Sequence, residues 1–300
     1  MKLKGIIPPM ITPLQDADTL DIAGLERLIE NMINGGVHGV FALGTTGEGP
    51  CLSYRLKAEV INQVCRIVDQ RIPVLISVTD TASVESISLS KQAANAGADA
   101  VVIGTPYYFS IGQTELIEHI EKIVPQLALP VMLYNIPAFM KTWFEIETLR
   151  RLSGLDRILG VKDSCGDMGY YEELCGLSSE RPDWSFFIGP EEKMMATIPL
   201  GGSGGVNGGA NVFPKLFVGA YEAAVAEDTL RIAKYQRQIE LFGNIYNCGR
   251  YDSRFVKATK CAASLQGLCL DTMAEPFQSF NLEDRERVNA ILESLTLEAL

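Results

Sequence analysis

Lys162 ends the apolar run I-L-G-V-K, which begins at Ile158. If this run is a buried strand, the ammonium group at its end is partly removed from water, and desolvation lowers its pKa and exposes a nucleophilic amine. Such an amine attacks a ketone and forms a Schiff base. The alternative is an ordinary ion pair with the adjacent Asp163, and the local residues alone favour neither interpretation.

Hydroxyl groups at other strand ends could serve the same reaction. Tyr134 ends the preceding apolar run, and its phenol could move protons once Lys162 has converted a ketone to an iminium electron sink. A tyrosine with its usual pKa of about 10 is a poor base at neutral pH and needs a hydrogen-bonded relay. Thr45 and Tyr108 follow two further apolar runs and could provide it. The alternative for Tyr134 is a hydroxyl that simply faces water.

Two glycine-containing loops could contact a substrate through their backbone. The segment G-T-T-G-E at 44–48 precedes a candidate helix, so its N–H groups and threonine hydroxyls could hold a carboxylate. A simple helix cap is the alternative. The run G-G-S-G-G-V-N-G-G at 201–209 lacks the G-K-[ST] ending of a phosphate-binding loop. It indicates close approach of the backbone instead.

Zinc catalysis is disfavoured by the histidines. His38 and His119 are the only two, and neither belongs to an H-x-H or H-E-x-x-H spacing. We expect both to be structural. Carboxylates alone could still bind magnesium. The sequence therefore predicts no metal and no cofactor, without excluding every metal.

Short apolar runs and amphipathic stretches alternate along the chain, at the spacing of about thirty residues that is typical of a strand–helix unit. An eightfold alternation predicts an α/β fold closed into a (β/α)₈ TIM barrel, although an open doubly wound sheet gives similar local patterns. In a barrel the polar residues described above would meet at the carboxyl ends of the strands. The candidate strands are residues 5–11, 37–43, 73–78, 100–103, 130–134, 158–162, 185–188 and 204–206.

Helical signals lie between the strands and dominate the last part of the chain. Asp21 is a good capping residue before a stretch with apolar residues at helical spacing, and Ser83 begins another helix. We predict a barrel domain at 1–225 and a helical C-terminal region at 226–300, packed against the barrel because no linker rich in Pro, Gly and Ser separates the two. The helical stretches after Pro214 are 215–227, 229–242, 252–266 and 282–295.

Composition excludes several classes of protein. A formal net charge of −11 argues against a nucleic-acid or anionic-membrane surface. The chain has no uninterrupted apolar run of about 18 residues, the length that a membrane span needs. The seven scattered cysteines form no C-x-x-C pair, which suits reduced thiols. Because the N-terminus also lacks a signal-peptide pattern, we expect a cytoplasmic protein.

The motifs G-T-T-G-E at 44–48, P-Y-Y at 106–108, Y-N-I-P at 134–137 and G-V-K-D-S at 160–164 follow one another at strand ends. Together they resemble the dihydrodipicolinate synthase and N-acetylneuraminate lyase family. The resemblance spans essentially the whole chain, and the order of the motifs is specific although each is weak alone. It implies a (β/α)₈ barrel with a helical C-terminal extension, usually tetrameric, that acts as a class I aldolase on pyruvate without a metal.

The resemblance implies a role for each residue of the pyruvate site. Lys162 would be the Schiff-base lysine, Tyr134 the proton-transferring phenol and Thr45 its relay partner. Thr46 and the nearby backbone would hold the pyruvate carboxylate. Tyr108 matches the tyrosine that, in the synthase branch, completes the relay from an adjacent subunit. Assembly, expected as a homotetramer, would then be part of the active site.

The second substrate is less clearly specified. The synthase branch resembles Y-N-x-P-x-R, and its arginine binds the carboxylate of aspartate semialdehyde. This chain has Phe139 in that place, which supplies no bidentate charge, although Lys141 could partly substitute. Gly189, Glu191 and Glu192 resemble the G-x-D-E segment with which sialic acid lyases bind substrate hydroxyls, with glutamate in place of the expected aspartate.

Reversible aldol cleavage of a 4-hydroxy-2-oxo acid is therefore the leading hypothesis, with pyruvate and an aldehyde as partners. N-Acetylneuraminate and 2-keto-3-deoxy sugar acids are equally good candidates for the substrate. A dehydratase that expels a hydroxyl from the same iminium is a close variant, and condensation of pyruvate with aspartate semialdehyde is the next alternative. A non-catalytic oxo-acid sensor is disfavoured, because binding alone needs neither Lys162 nor Tyr134. The candidate substrate-binding residues are Thr46, Gly47, Phe139, Gly189, Glu191, Glu192 and Val206.

Overall fold

The structure is a computed structural model that describes residues 1–297. The strands of this part of the chain are β1 (Gly5–Ile6), β2 (Leu14–Asp16), β3 (Thr19–Leu20), β4 (Val40–Ala42), β5 (Val74–Ser77), β6 (Ala100–Gly104), β7 (Val131–Asn135), β8 (Ile158–Asp163), β9 (Ser185–Ile188) and β10 (Gly204–Gly205). The helices are α1 (Ile22–Asn34), α2 (Tyr54–Val68), α3 (Ser83–Ala96), α4 (Gln113–Ile123), α5 (Ile146–Leu152), α6 (Met168–Gly176), α7 (Met194–Thr197), α8 (Pro214–Val225), α9 (Thr229–Gly243), α10 (Arg254–Leu265) and α11 (Leu282–Glu293).

Eight parallel strands form one sheet in the order β1-β10-β9-β8-β7-β6-β5-β4. The two end strands of this sheet are β1 and β4, and the residues that follow β1 form hydrogen bonds with β4. The N–H of Phe41 on β4 donates to the carbonyl of Pro8 at 2.9 Å, and the N–H of Met10 donates to the carbonyl of Phe41 at 2.8 Å. The sheet therefore closes on itself, and the predicted (β/α)₈ barrel with C-terminal helices is confirmed. The strands β2 and β3 form a separate antiparallel hairpin, which the apolar pattern did not indicate.

The first barrel strand is much shorter than the predicted 5–11. Regular pairing covers only Gly5–Ile6, because Pro8 and Pro9 have no N–H to donate to a neighbouring strand. A single parallel bridge between Pro9 and Phe41 continues the contact with β4. The other barrel strands agree with their predicted positions within about three residues at each end.

Side chains of the barrel form two apolar layers, as expected for strands buried on both faces. The inner layer fills the barrel, and the outer layer packs between the strands and the surrounding helices. The predicted cap at Asp21 is present, because its carboxylate accepts a hydrogen bond from the N–H of Gly24 at 2.9 Å. The inner layer contains Leu3, Ile7, Phe41, Leu75, Ala100, Val102, Met132, Tyr134, Ile136, Met140, Leu159, Phe187 and Val206.

A β-bulge in β8 decides which way the end of this strand faces. Consecutive residues of β7 pair with Ile158 and Gly160, so that Leu159 is the extra residue. Leu159 packs in the inner layer and Val161 in the outer layer. Because side chains alternate along a strand, the extra residue turns Lys162 toward the inside of the barrel.

The bulge requires a glycine at position 160. Gly160 has φ +142°, a conformation that residues with a side chain rarely adopt. A Cβ atom here would lie 1.9 Å from the carbonyl oxygen of Ser185 on β9. Only a residue without a side chain fits between the two strands.

Helices α8 to α11 follow the last barrel strand without a further strand among the described residues. Helix α9 packs against α8, and α10 contacts both α11 and the loop that follows β10. The predicted helical stretches agree with these helices within about two residues. The division into domains at residue 225 stays a prediction, and the last three residues of the predicted region 226–300 lie outside the described residues. Within residues 1–297 no helix is long and apolar enough to cross a membrane.

Candidate active site

Lys162 and Tyr134 lie side by side at the ends of adjacent strands. The register of β7 and β8 pairs their Cα atoms directly. Lys162 Nζ lies 3.8 Å from the centroid of the Tyr134 ring and 5.4 Å from that of Phe41. Lys162 is only 5% exposed, so its amine is surrounded by aromatic faces and has little contact with water. Among the described residues it has no carboxylate within 4.0 Å.

Asp163 faces away from that amine and does not form the ion pair considered as the alternative. Its Oδ1 accepts hydrogen bonds from Asn135 Nδ2 at 2.8 Å and from the Cys165 N–H at 3.2 Å. The thiol of Cys165 donates to Oδ2 at 3.1 Å. Burial raises the pKa of the Asp163 carboxyl, and these hydrogen bonds oppose the rise. The carboxyl therefore orders the neighbouring backbone and leaves Lys162 unpaired.

Thr45 brings a second hydroxyl to the phenol of Tyr134. Thr45 Oγ1 lies 3.5 Å from Tyr134 Oη, the outer limit of a hydrogen bond, and either atom can donate. The next residue, Thr46, is buried beside it. Gly47 is fixed at its carbonyl by a 2.7 Å hydrogen bond from the hydroxyl of Thr12. The loop 44–48 thus holds Thr45 at the barrel mouth.

A buried ion pair fixes the far end of this loop to the C-terminal helices. Glu48 has φ +57°, and its side chain points away from the barrel to Lys260 on α10. Both side chains are completely buried, and Lys260 Nζ donates to Glu48 Oε1 and to the carbonyl of Thr272. The N–H of Ala274 donates to Glu48 Oε2 at 2.8 Å. The pair therefore couples the candidate pyruvate loop to a part of the chain more than 200 residues away.

A cavity of about 330 Å³ contains most of the predicted site. Its lining joins strand ends of the barrel to side chains of the C-terminal helices. Gly47, Tyr108 and Phe139 do not line it. The predicted residues that do are Thr45, Thr46, Tyr134, Lys162, Gly189, Glu191, Glu192 and Val206. The lining residues without a prediction are Pro9, Ile136, Ser164, Pro190, Gly208, Tyr246, Phe255 and Thr259.

Phe139 lines a second cavity of about 340 Å³, which meets the first at Thr45, Tyr134 and Phe255. The rings of Phe139 and Phe255 pack with their centroids 5.8 Å apart. Lys141 does not replace an arginine here, because its Nζ donates to the carbonyl of Tyr108 at 2.7 Å. Most of the surface of this second cavity is apolar, and the charged side chains Lys57 and Asp252 are among its lining residues.

Tyr108 lies on the loop between β6 and α4 and points away from both cavities of its own chain. It is 66% exposed, and its ring packs edge-on against Phe109, which is 73% exposed. Its hydroxyl makes no hydrogen bond within residues 1–297. Within this single chain it does not reach Thr45 or Tyr134.

Glu191 is buried at the wall of the first cavity, whereas Glu192 beside it is exposed. Glu191 Oε1 accepts hydrogen bonds from the Gly209 N–H at 2.6 Å and from Tyr246 Oη at 2.9 Å. Glu191 Oε2 has no hydrogen-bond partner within residues 1–297. Burial raises the pKa of the Glu191 carboxyl to about 7, against the effect of these two donors.

The two histidines lie away from the cavity that contains Lys162. His38 Nδ1 accepts a hydrogen bond from the Ile6 N–H at 3.2 Å, and His119 is half-buried on α4. Burial lowers the pKa of both imidazoles. No group of three or more His, Cys, Asp or Glu side chains within residues 1–297 is placed to hold a metal ion.

Comparison with known proteins places this geometry in a family. The model of the dihydrodipicolinate synthetase family matches residues 2–295. The "Probable 2-dehydro-3-deoxy-D-pentonate aldolase YjhH" of Escherichia coli is 31% identical over 97% of each chain. Dihydrodipicolinate synthase from Bacteroides thetaiotaomicron superposes with a TM-score of 0.95 and 46% identity, covering 98% of this chain and 99% of that one. YagE of E. coli, solved in complex with pyruvate, superposes with a TM-score of 0.93 and 28% identity, again over 98% and 99% of the chains.

Proposed function

This chain belongs to the dihydrodipicolinate synthetase family of pyruvate-dependent class I aldolases, and on that premise we propose that it cleaves a 2-keto-3-deoxy sugar acid or N-acetylneuraminate through a Schiff base on Lys162. Membership of this family makes it a pyruvate-dependent lyase, so the non-catalytic sensor is not retained. The observation that carries the proposal is the pairing of Lys162 and Tyr134 in one cavity. Their burial, with no carboxylate beside the amine, supports a nucleophilic role for Lys162.

In the proposed reaction Lys162 Nζ adds to the C2 carbonyl of the substrate, and water leaves as the iminium forms. Tyr134 passes its phenolic proton to Thr45 while Thr45 passes its own hydroxyl proton along the relay to solvent, and the Tyr134 phenolate then removes the proton of the C4 hydroxyl. The electron pair of the C3–C4 bond moves toward the iminium nitrogen, and the aldehyde departs. The resulting enamine takes this proton back from Tyr134 at C3, and water then adds to the iminium and releases pyruvate from the lysine. Thr46 and the backbone at Gly47 are the groups proposed to hold the pyruvate carboxylate.

Two observations support a sugar acid as the substrate: the acidic residues that line the cavity and the names of related proteins. Glu191 and Glu192 bring carboxyl groups to the cavity, and these pair with the hydroxyl groups of a polyol. A second E. coli relative, 30% identical, is named "Putative 2-dehydro-3-deoxy-D-gluconate aldolase YagE". Position 139 is a phenylalanine and not the arginine of the synthase motif, so it adds apolar surface and no positive charge.

Condensation of pyruvate with aspartate semialdehyde is the second candidate. It is favoured by the 46% identity to a protein described as dihydrodipicolinate synthase. Phe139 argues against it, because it offers a carboxylate no bidentate partner at that end of the site, and Lys57, which lines the same cavity, already has Asp80 3.9 Å away.

We further propose that the active protein is a homotetramer in the cytoplasm, in which Tyr108 of one subunit completes the relay of its neighbour. The exposure of Tyr108 and Phe109 supports this, because two adjacent aromatic rings in water favour burial in an interface. Tyr108→Phe should then lower kcat without preventing Schiff-base formation. Equal kcat for Tyr108→Phe and the unsubstituted protein would remove Tyr108 from the relay.

Reduction with borohydride in the presence of pyruvate tests the Schiff base. We expect mass analysis to find the reduced pyruvate adduct on the peptide that contains Lys162 and no adduct in Lys162→Met. Lys57→Met is the matched control, because Lys57 is also buried beside a cavity but should leave the adduct unchanged. An unsubstituted protein without an adduct at Lys162 would refute the mechanism.

Product analysis divides the two candidate substrates. Pyruvate release from N-acetylneuraminate and from a panel of 2-keto-3-deoxy sugar acids is compared with condensation of pyruvate and aspartate semialdehyde. Cleavage of a sugar acid with the higher kcat/KM supports the first candidate. Faster condensation would show that Phe139 does not prevent carboxylate binding.

A further inference from the structure

Residues 9–12, which follow β1, lie beyond the regular pairing with β10. On that side of the segment the Ile7 N–H donates to the carbonyl of Gly205 at 2.9 Å, and β10 ends at Gly205. Because backbone groups alternate between the two sides of a strand, the next N–H on this side would belong to Pro9, which has none. Another group must therefore hold this part of the barrel wall, although Pro9 lines the cavity that contains Lys162.

The side chain of Asn211 takes the place of the missing strand. Its Oδ1 accepts a hydrogen bond from the Ile11 N–H at 3.0 Å, and its Nδ2 donates to the carbonyl of Pro9 at 3.0 Å. These two backbone groups flank Met10, and a neighbouring parallel strand would pair with the same two groups. Nδ2 also donates to the carbonyl of Gly208 at 2.8 Å. The completely buried amide therefore fixes Pro9 and Gly208, two residues of the cavity lining.

Residues 10–12 in turn hold the loop 44–48. They are bound on one side by β4 and on the other by Asn211. The hydroxyl of Thr12, which is 1% exposed, donates to the carbonyl of Gly47 at 2.7 Å. A Cβ atom at Gly47 would lie 2.7 Å from the carbonyl oxygen of Met10, so the two backbones are in close contact. The position of Gly47 therefore depends on the segment that Asn211 holds.

We infer that Asn211 is a positioning residue for the carboxylate of the oxo acid, because its amide replaces a strand and, through Thr12, fixes the Gly47 backbone. This inference rests on the proposed function, in which the backbone at Gly47 helps to hold that carboxylate. Asn211 does not line the cavity and acts only through the residues that it binds. Its replacement should therefore weaken carboxylate binding, whereas Lys162 remains fixed by the pairing of β8 with its two neighbouring strands.

The concentration dependence of pyruvate trapping tests this inference. A brief borohydride pulse at a series of pyruvate concentrations gives the half-maximal concentration and the maximal adduct yield on Lys162. Asn211→Leu keeps the approximate size of the side chain and removes its three hydrogen bonds. We expect this variant to raise the half-maximal concentration about tenfold or more, with a maximal yield within about twofold, because a small displacement of a binding group is enough to weaken binding strongly.

Asn31→Leu is the matched control. Asn31 Nδ2 donates to the backbone carbonyls of Asn211 and Val212, at 3.1 and 3.3 Å, and makes no hydrogen bond to residues 9–12 or 44–48. The half-maximal pyruvate concentration of this variant should stay within about twofold of that of the unsubstituted protein. Equal shifts in Asn31→Leu and Asn211→Leu, or a loss of yield in Asn211→Leu without a shift, would overturn the inference.

Thr12 gives a second test that does not require Asn211→Leu to fold. Thr12→Val has nearly the same shape without the hydroxyl, and it should raise the half-maximal pyruvate concentration about three- to tenfold, the value of one hydrogen bond. Thr12→Ser keeps the donor to Gly47 and should stay within about twofold of the unsubstituted protein. An unsubstituted protein without an adduct would refute the Schiff base and this inference together. An adduct with the same pyruvate dependence in Thr12→Val and Thr12→Ser would refute the inference alone.

Discussion

Replacing Lys260 by methionine should destabilise the protein and slow its reaction, because it removes the buried ion pair with Glu48. The substitution leaves the Glu48 carboxylate fully buried with the Ala274 N–H as its remaining partner. Breaking a buried ion pair by removing one member costs about 3–5 kcal/mol, because the remaining charge is neither hydrated nor paired. Methionine has similar length and is apolar, so the loss of packing should be small.

The double variant Glu48→Gln/Lys260→Met removes both charges and isolates the pair. We expect it to be within about 2 kcal/mol of the unsubstituted protein, since a buried pair replaced by neutral groups of similar volume is often nearly neutral. Urea unfolding of the single and double variants measures the coupling energy. Lys57→Met is the matched control, because its partner Asp80 is 3.9 Å away and retains a 2.8 Å hydrogen bond from Tyr54, so this change should cost less.

Lys260→Met should also lower kcat, independently of its effect on the free energy of unfolding. Thr45 Oγ1 and Tyr134 Oη are already 3.5 Å apart, so a small shift of the loop 44–48 breaks their contact. Since proton transfer contributes about 10²–10⁴-fold to a rate, we expect Lys260→Met to lower kcat at least about tenfold at a temperature where it remains folded. The pyruvate adduct on Lys162 should still form. A Lys260→Met protein with unchanged unfolding and unchanged kcat would refute this account of the buried pair.

Three further predictions follow from the geometry. Gly160→Ala should lose several kcal/mol in urea unfolding and most of its borohydride-trapped pyruvate, because a Cβ would lie 1.9 Å from the Ser185 carbonyl oxygen; adduct yield equal to that of the unsubstituted protein would contradict the proposed role of the bulge. Between pH 4.5 and 7 folded Glu191 binds more protons than the unfolded chain, because its pKa rises from 4.5 to about 7. The contribution of Glu191 to stability should therefore fall by roughly 3 kcal/mol as the pH rises through this range, and urea unfolding from pH 5 to 8 should show it as the difference between the unsubstituted protein and Glu191→Gln. Phe139→Arg should raise the kcat/KM of condensation with aspartate semialdehyde, because a guanidinium pairs with its carboxylate; no gain in that assay would show that Phe139 does not select the substrate.

The part of the cavity lining that comes from the C-terminal region could not be predicted from sequence patterns. Polar residues at strand ends, such as Thr45 and Lys162, can be placed because every barrel strand ends at the same mouth. Phe255 and Thr259 lie on α10, and Tyr246 lies in the turn between α9 and α10. No periodicity tells which of these segments covers the mouth or which face of α10 points inward. The unpaired oxygen of Glu191 depends on these same residues. The sequence could therefore predict that Thr45, Tyr134 and Lys162 lie together, whereas the side chains that the C-terminal part of the chain adds to the cavity depend on long-range packing.

The side on which the Lys162 side chain lies also could not be read from the apolar pattern alone, because it depends on the β-bulge in β8. In a regular strand Leu159 and Lys162 would face opposite sides, and a leucine inside the barrel would place the lysine among the outer helices. The bulge adds one residue and turns both inward. In the sequence, only Gly160 within the apolar strand indicates a bulge, and a glycine there is equally typical of a close approach between two backbones. The structure shows that Gly160 is needed for both reasons, since its backbone lies against β9 and its φ of +142° shifts the alternation that aims Lys162 at Tyr134.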